Sequence, residues 1–225
     1  MTQTERSRKG NELPTGDPKS HPYERLKDAI LSGELPPGTQ LVEAALASWF
    51  DVSRTPIREA LTRLEQDALL ARDKSGLIVR ERTPGEVLDI YDTRILLESA
   101  AAGLAAERRT SHDILLLQRL LRRWDGVDQG DPGAMMRANR EFHQTLWRAS
   151  HNECLVDLLG RLDLHVARFP ATTLSTPGRW QQAGREHAGI VEAIERHDAA
   201  KSAESAGKHF QRARDIRLEL WNADN

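Results

Sequence analysis

Three histidines and one asparagine have the residue types and the helical spacing of a metal site. His187 and His209 each fall on the apolar stripe of a predicted helix, while Asn139 and His143 lie one turn apart beside the stripe of a third helix. Imidazole nitrogens from three helices, joined by a side-chain oxygen, are typical of divalent-metal sites in helical bundles. Taken singly, each is more often a hydrogen-bonded core histidine, because a buried imidazole needs polar partners. His165, on a further apolar stripe, is the reserve candidate.

Arg94 is a further candidate functional residue, because it places a charged side chain on an otherwise apolar helical stripe. One interpretation is an i,i+4 ion pair with Glu98 that lets the arginine be partly buried. The other is a binding site for a carboxylate ligand, since a guanidinium group can form two parallel hydrogen bonds with a carboxylate. The sequence supports both interpretations equally. Trp147 and Arg168 are further candidates for lining the same cavity.

The stretch VSRTPIREAL at residues 52–61 begins a helix with polar residues and only then becomes apolar. Its apolar positions recur at helical spacing and predict the side that packs on the core: Ile57, Leu61 and Leu64. Arg54, Thr55 and Arg58 fall together on an adjoining face that points away from the core. Guanidinium groups can bind guanine edges, while hydroxyls and backbone N–H groups can bind phosphates. A solvated helix face would explain the two arginines alone, but the flanking elements favour DNA.

The elements around this helix predict a winged helix-turn-helix. Two shorter helices precede it and two short β-type runs follow it, giving helices at 23–31, 42–50 and 53 or 55 to 67, and strands at 68–72 and 77–80. Gly76 lies at the hairpin tip, where the lack of a Cβ would let the backbone approach a phosphate or the minor groove. The predicted DNA-binding domain covers residues 21–82 and follows a flexible arm at residues 1–20.

The remainder of the chain, residues 83–225, is predicted to be a separate helical domain. It begins at Thr83-Pro84-Gly85-Glu86, which has the residues of a capping box and a proline at the first helical position. Six amphipathic helices follow, at 84–109, 111–125, 132–149, 153–168, 179–197 and 199–221. Short connections between them predict an antiparallel bundle. The predicted fold class is therefore mainly α: a winged helix-turn-helix followed by an all-α bundle.

The composition excludes several classes of protein. With 39% hydrophobic and 29% charged residues, the chain is expected to be globular and soluble. No apolar run is long enough for a membrane span, and the first residues lack the apolar core of a signal peptide, so a cytoplasmic location is expected. A single cysteine, Cys154, excludes an internal disulfide. The net charge of −2 means that any basic surface for DNA must be local.

Two segments resemble a known family of bacterial transcription factors. Residues Val42–Leu70 are similar to the DNA-binding domain of the GntR superfamily, and the VSRTPIREAL block is a highly specific match. Residues from about 86 to 221 are similar to the helical effector-binding domain, called FCD, of the FadR-type branch. The second resemblance rests on four pieces of sequence: Arg94–Glu98, Asn139 with Phe142 and His143, Glu186-His187, and His209.

The resemblance implies two sets of functional residues. Those expected to contact DNA are Ser53, Arg54, Thr55, Arg58 and, in the wing, Gly76. Those expected to hold a divalent metal ion, with zinc as the first candidate, are Asn139, His143, His187 and His209. Two positions depart from the family pattern. Ala44 replaces a basic DNA-contacting residue of some relatives, and Asn139 replaces an aspartate, so the metal site should be weaker or select a different ion.

The expected function is a DNA-binding regulator, usually a repressor in this family, that senses a small organic acid through the metal ion and Arg94. A homodimer is expected, because paired recognition helices read a palindromic double-stranded operator. One alternative is a regulator whose helical domain binds an acyl or aromatic ligand without metal. Another is a metal-dependent enzyme, which is disfavoured because no general base is positioned like the glutamate of an HExxH motif.

Overall fold

The computed structural model describes residues 21–166 and 172–223. This part of the chain divides after Arg82 into two compact units, each with its own apolar core. The predicted mainly helical fold, a winged helix-turn-helix followed by a helical bundle, is confirmed. None of the described helices is long and apolar enough to cross a membrane. The predicted flexible arm at residues 1–20 lies outside the described residues.

The first unit contains three helices and a two-stranded sheet. The elements are α1 (Pro22–Leu31), α2 (Glu43–Phe50), α3 (Arg54–Gln66), β1 (Leu70–Asp73) and β2 (Gly76–Val79). The strands pair antiparallel, with Leu70 opposite Val79 and Asp73 opposite Gly76. The predicted apolar stripe of α3 is buried against Leu26 of α1 and its neighbours, and Ile57 and Leu64 have no exposed surface. Burying this stripe leaves the adjoining, polar face of α3 exposed.

The hairpin differs slightly from its prediction. β1 begins at Leu70 rather than at residue 68, because the chain leaves α3 through a left-handed residue, Ala68, with a φ of 52°. The N–H groups of Ala68 and Leu69 donate to the carbonyls of Glu65 and Leu64, so these residues close the helix instead of starting the strand. β2 starts at Gly76, one residue earlier than predicted.

The described residues of the second unit form six helices and one short 3₁₀ turn. The elements are α4 (Pro84–Arg108), α5 (Ser111–Trp124), α6 (Pro132–Ala149), α7 (Glu153–Val166), the 3₁₀ helix Thr173–Ser175, α8 (Arg179–Glu195) and α9 (Ala199–Ala223). The helices match the predicted ranges to within about two residues at each end. The end predicted for the fourth, residue 168, lies outside the described residues. The 3₁₀ turn was not predicted.

Helix α4 helps to position the helices that carry the three histidines, through its capped N-terminus and its packing against α9. The predicted capping box is present, with Thr83 and Glu86 each accepting from the other's backbone N–H. Along α4, alanines 101, 102, 105 and 106 are fully buried, and such small side chains let α9 lie close. Ser202 of α9 donates a 2.9 Å hydrogen bond to the Ala102 carbonyl. As α9 also packs on α8, the inner faces of α6, α8 and α9 meet.

Candidate metal centre and nucleic-acid interface

The polar start of α3 is exposed on the face that the sequence predicted. Ser53, Arg54, Thr55 and Arg58 are exposed, whereas Ile57 between them points into the core. Ser53 precedes the helix with extended backbone, and its side chain makes no capping hydrogen bond. The first turn of a helix offers unpaired N–H groups and the positive end of the helix dipole. This end of α3 can therefore accept phosphate as well as present its arginines to base edges.

Arg58 is already engaged by a carboxylate in this structure. Its Nε and Nη2 atoms donate to the two oxygens of Glu43 at 3.2 and 3.0 Å. The side chain of Arg58 is nevertheless 70% exposed, so the ion pair lies at the surface. Hydrogen bonding to Glu43 raises the pKa of Arg58 above its ordinary value, so the guanidinium stays charged. Ala44, next to Glu43, is exposed and contributes no charge to this surface.

The wing places Gly76 where the sequence predicted a hairpin tip. Its φ of 119° lies in the region that side chains with a Cβ rarely adopt, so the turn depends on glycine. The turn is also held from outside the hairpin, because Gln40 Nε2 donates to the Ser75 carbonyl. Gln40 forms an isolated antiparallel bridge with Ile78 of β2. The wing is thus anchored to the segment that leads into α2.

His143 of α6, His187 of α8 and His209 of α9 come together in the core of the second unit. One ring nitrogen of each lies within 4.8 Å of those of the other two. Their exposed fractions are 3%, 0% and 4%, so water has little access to the cluster. Stacking of His187 on Phe142, with ring centroids 4.0 Å apart, fixes the orientation of that imidazole. The structure therefore assembles three of the four residues predicted from the helical stripes.

The ring nitrogens of two of the three clustered histidines have no hydrogen-bond partner. Both ring nitrogens of His143 and both of His187 are buried without a hydrogen bond, and so is Oδ1 of Asn139, one turn before His143. Buried polar atoms nearly always have a hydrogen-bond partner, so the four unpaired ring nitrogens of this cluster, together with the unpaired Asn139 Oδ1, require an explanation. Burial lowers the pKa of His143 and of His187 well below the usual value, which keeps both rings neutral. Neutral imidazoles and an amide oxygen have the lone pairs that a divalent cation needs, so the residues fit a metal ion.

His209 differs from the other two because its ring is held by charged neighbours. Its Nδ1 lies 2.7 Å from Oε2 of Glu186, and burial of Glu186 is outweighed by hydrogen bonds from His209 and Arg179, which lower the pKa of that carboxyl. An ionised carboxylate only accepts, so Nδ1 carries the proton and Nε2 keeps its lone pair. Arg179 donates to Glu186 at 2.7 Å and approaches Nδ1 of His209 at 3.3 Å. A carboxylate behind a ligating histidine is a common feature of metal sites.

Arg179 and Glu186 were not assigned a role from the sequence. Arg179 is 2% exposed, although it begins a helix, where arginines are usually solvated. One signal could have found it: Arg179 lies one turn before Ala183 on the buried stripe of α8, so it interrupts that stripe as Arg94 interrupts its own. The sequence pointed to Glu186 only through the Glu186-His187 dipeptide, one of the four pieces that resemble the FCD domain, and gave it no separate role.

Arg94 forms the ion pair that was one of its two interpretations. Its Nη2 donates to Glu98 at 3.0 Å, and both side chains are buried. Trp147 donates to the other oxygen of Glu98 at 2.7 Å, and burial raises the pKa of Glu98 to about 7 against the opposing effect of Arg94. The guanidinium also lies over the ring of Phe210, 4.6 Å from its centroid, while its Nε is buried without a partner. One donor of Arg94 therefore stays uncommitted.

The remaining candidates are placed as follows. His165 is half-buried and is not among the residues of the histidine cluster in the described part of the chain. Trp147 is buried, and its indole N–H is used by Glu98 rather than by an open cavity. Arg168 lies outside the described residues. Of the two described positions, neither His165 nor Trp147 joins the three clustered histidines.

Comparison with known proteins matches each of the two units to a protein family. The profile of the bacterial regulatory proteins of the gntR family matches residues 18–79, and that of the FCD domain matches residues 89–212. An HTH-type transcriptional regulator of Bacillus subtilis, YdhC, whose function is uncharacterised, is 33% identical over 193 residues, which cover 84% of this chain and 85% of the relative. The gluconate operon transcriptional repressor of the same organism is 25% identical, over 87% of this chain and 83% of the repressor.

A solved structure has the same fold. The regulator McbR/YncC of Escherichia coli superposes with a TM-score of 0.75 at 23% identity, covering 92% of this chain and 100% of that one. The matched gntR family consists of bacterial regulatory proteins, and the relatives are named as regulators or repressors rather than as enzymes. From its winged DNA-binding unit, its FCD domain and these relatives, the chain is a transcriptional regulator of the GntR family.

Proposed function

We propose that this regulator senses a small carboxylate metabolite through a divalent metal ion held by its FCD domain. The observation that carries the proposal is the group of unpaired, buried nitrogens of His143 and His187. In a dry core these atoms would each be costly without a partner. A bound cation would use their lone pairs and remove that cost.

Four residues of three helices would hold the ion. His143, His187 and His209 would each give a ring nitrogen, and Asn139 would give its amide oxygen. Glu186 prepares His209 by fixing the proton on Nδ1. A neutral asparagine lowers the negative charge of the site compared with an aspartate, which favours weaker or different metal binding. When bound, the ion supplies a positive charge that can attract a carboxylate.

Arg94 would provide the second contact to the effector. Its Nε is buried without a partner, and Glu98 occupies only one of its nitrogens. Glu98 is in turn held by Trp147, so Arg94 is fixed in position rather than free to swing. A carboxylate that approaches Arg94 would find a donor in a low-dielectric environment, where such contacts are strong.

On the DNA side, Arg54, Thr55 and Arg58 would read an operator, with Ser53 on phosphate and Gly76 close to the backbone. The chain would act as a homodimer on a palindromic operator, with half-sites about one helical turn apart. The name of the gluconate operon relative supports repression. Effector binding would change operator affinity by a coupling free energy of roughly 1–3 kcal/mol.

Metal analysis of protein purified without chelator tests the proposal. We expect a divalent ion at close to stoichiometric amount, which is lost in His187→Ala and kept in His112→Ala, a control at an exposed histidine. Binding to genomic fragments, with and without a panel of organic acids, should show an effector response that disappears after chelation and returns with zinc. Unchanged metal content in His187→Ala, or a response that survives complete chelation, would contradict the proposal.

A metal-free effector pocket is the second candidate, and one observation favours it. The buried guanidinium of Arg179 lies 3.3 Å from Nδ1 of His209, and a cation at that position disfavours a second positive charge nearby. In this case an acyl or aromatic carboxylate would bind to the arginines directly. An effector response that is insensitive to chelator would support this candidate.

A further inference from the structure

The arginine that is proposed to read a base is held by a glutamate from the neighbouring helix. The contact between Arg58 of α3 and Glu43 of α2 has two hydrogen bonds, at 3.2 and 3.0 Å, to the two carboxylate oxygens. Such two-point pairs fix the plane of the guanidinium as well as its position. Surface ion pairs contribute little to stability, so the main consequence of this pair is orientation.

The pair occupies only one edge of the guanidinium. Arginine has five N–H donors in a rigid planar fork. Glu43 takes the edge formed by Nε and Nη2, which leaves the outer edge, formed by Nη1 and the second hydrogen of Nη2. Two parallel N–H groups on such an edge match O6 and N7 of guanine in the major groove. Arg58 can therefore stay bound to Glu43 and contact a base at the same time.

Glu43 presents its carboxylate from a fixed backbone. The preceding residues are joined to β2, because Leu41 N–H donates to the Leu77 carbonyl at 2.8 Å and Val79 N–H donates to the Thr39 carbonyl at 2.8 Å. Glu43 is then the first residue of α2. A carboxylate at that position is also favoured by the positive end of the helix dipole.

We propose that Glu43 is a positioning residue for base recognition. It turns the free edge of Arg58 towards a guanine, and it neutralises charge that would otherwise let Arg58 bind any nearby phosphate. Specificity rises because the arginine is limited to one geometry, and non-specific affinity falls because one net positive charge is removed from the interface. The inference rests on the proposed DNA-reading role of Arg58.

The test measures base preference rather than affinity alone. Wild-type protein would select its preferred duplex from a random library. Binding of each variant to that duplex, to its single base-pair substitutions and to a scrambled duplex would then be measured at fixed salt. The variants are Glu43→Gln, Glu43→Asp, Arg58→Ala and the double change of Glu43→Gln with Arg58→Ala. Glu59→Gln, at an exposed carboxylate of α3, removes the same charge without touching Arg58 and is the matched control.

We expect Glu43→Gln to lose about tenfold in preference at the base pair that Arg58 reads, with preferences elsewhere unchanged. It should also bind the scrambled duplex more tightly, as should Glu59→Gln, which keeps the base preference. Glu43→Asp keeps the charge but shortens the reach by one methylene, so it should lose preference without gaining non-specific affinity. In the Arg58→Ala background, Glu43→Gln should have no further effect on preference.

The inference can be overturned in two distinguishable ways. Full base preference in both Glu43→Gln and Glu43→Asp would show that Glu43 does not position Arg58, while the role of Arg58 would stand. Unchanged preference in Arg58→Ala, or no duplex selected by wild-type protein, would remove the DNA-reading role itself and the inference with it. Thermal unfolding of each variant, expected to match wild type, checks that the fold is retained.

Discussion

Replacing His187 by leucine should have opposite effects on stability with and without metal. In chelated protein the two ring nitrogens of His187 are buried and unpaired, and the ring lies between Phe142 and Trp124. A leucine of similar size fills this place without polar atoms. The variant should therefore be more stable than wild type when metal is removed, and less stable when metal is supplied.

The size of each change in stability can be worked out from the typical costs of an unpaired buried polar group and of a hydrophobic substitution. An unsatisfied buried polar group costs about 1–3 kcal/mol, and a hydrophobic swap of similar volume costs less than about 1.5 kcal/mol, so a net gain of about 1 kcal/mol is expected for the chelated variant. For a protein of this length that is a rise of roughly 2–4 °C in unfolding midpoint. Metal at a hundredfold excess over its dissociation constant stabilises wild type by about 2.7 kcal/mol and leaves the variant unchanged.

Thermal unfolding followed by circular dichroism, with chelator and with added zinc, would measure both differences. His112→Leu, at an exposed position, is the matched control and should respond to zinc as wild type does. A chelated variant that is much less stable than chelated wild type would show that the His187 nitrogens are not a cost to the metal-free protein. Equal stabilisation of both proteins by zinc would show that the ion binds elsewhere.

Three further changes probe the rest of the account. Arg58→Ala should cost about 1–3 kcal/mol in operator binding, concentrated at one base pair; an equal loss on all duplexes would mean that the arginine contacts only phosphate. Burial of Asp113 raises the pKa of its carboxyl, but hydrogen bonds, chiefly from Thr110, outweigh burial and lower that pKa below its ordinary value. Asp113→Asn should therefore destabilise the protein above about pH 4, and the difference in stability from wild type should vanish as the pH falls below that value. Urea unfolding at several pH values would measure this difference. Gly184→Ala would put a Cβ 2.8 Å from the indole of Trp124, so a loss of roughly 1–3 kcal/mol is expected in the same unfolding assay, and wild-type stability would contradict the packing.

The sequence predicted the placement of side chains where helical periodicity decides it. His187 and His209 lie on apolar stripes, and a residue on the buried stripe of a helix must face the helices packed against it. The polar face of α3 was predictable for the same reason, because burying the stripe that contains Ile57 and Leu64 leaves the adjoining face, which carries Arg58, exposed. The fold followed from these stripes and from the turn residues between them.

The contacts between these side chains could not be predicted in the same way. Whether Arg179 reaches His209 depends on how α8 and α9 pack, which no spacing within one helix determines. The pairing of Arg94 with Glu98 could not be predicted with certainty, because i,i+4 spacing allows an ion pair without requiring it. The pair between Arg58 and Glu43 depends on the angle between α2 and α3. Ala68 looked like the start of a strand, but it closes a helix because its backbone is left-handed.

An anomalous difference map at the zinc edge, from crystals of protein supplied with zinc, would test the central claim most directly. The account predicts a peak about 2.0–2.1 Å from a ring nitrogen of each of His143, His187 and His209. Hydrogen-bonded water or protein atoms at those nitrogens, with no anomalous peak among the three rings, would contradict it.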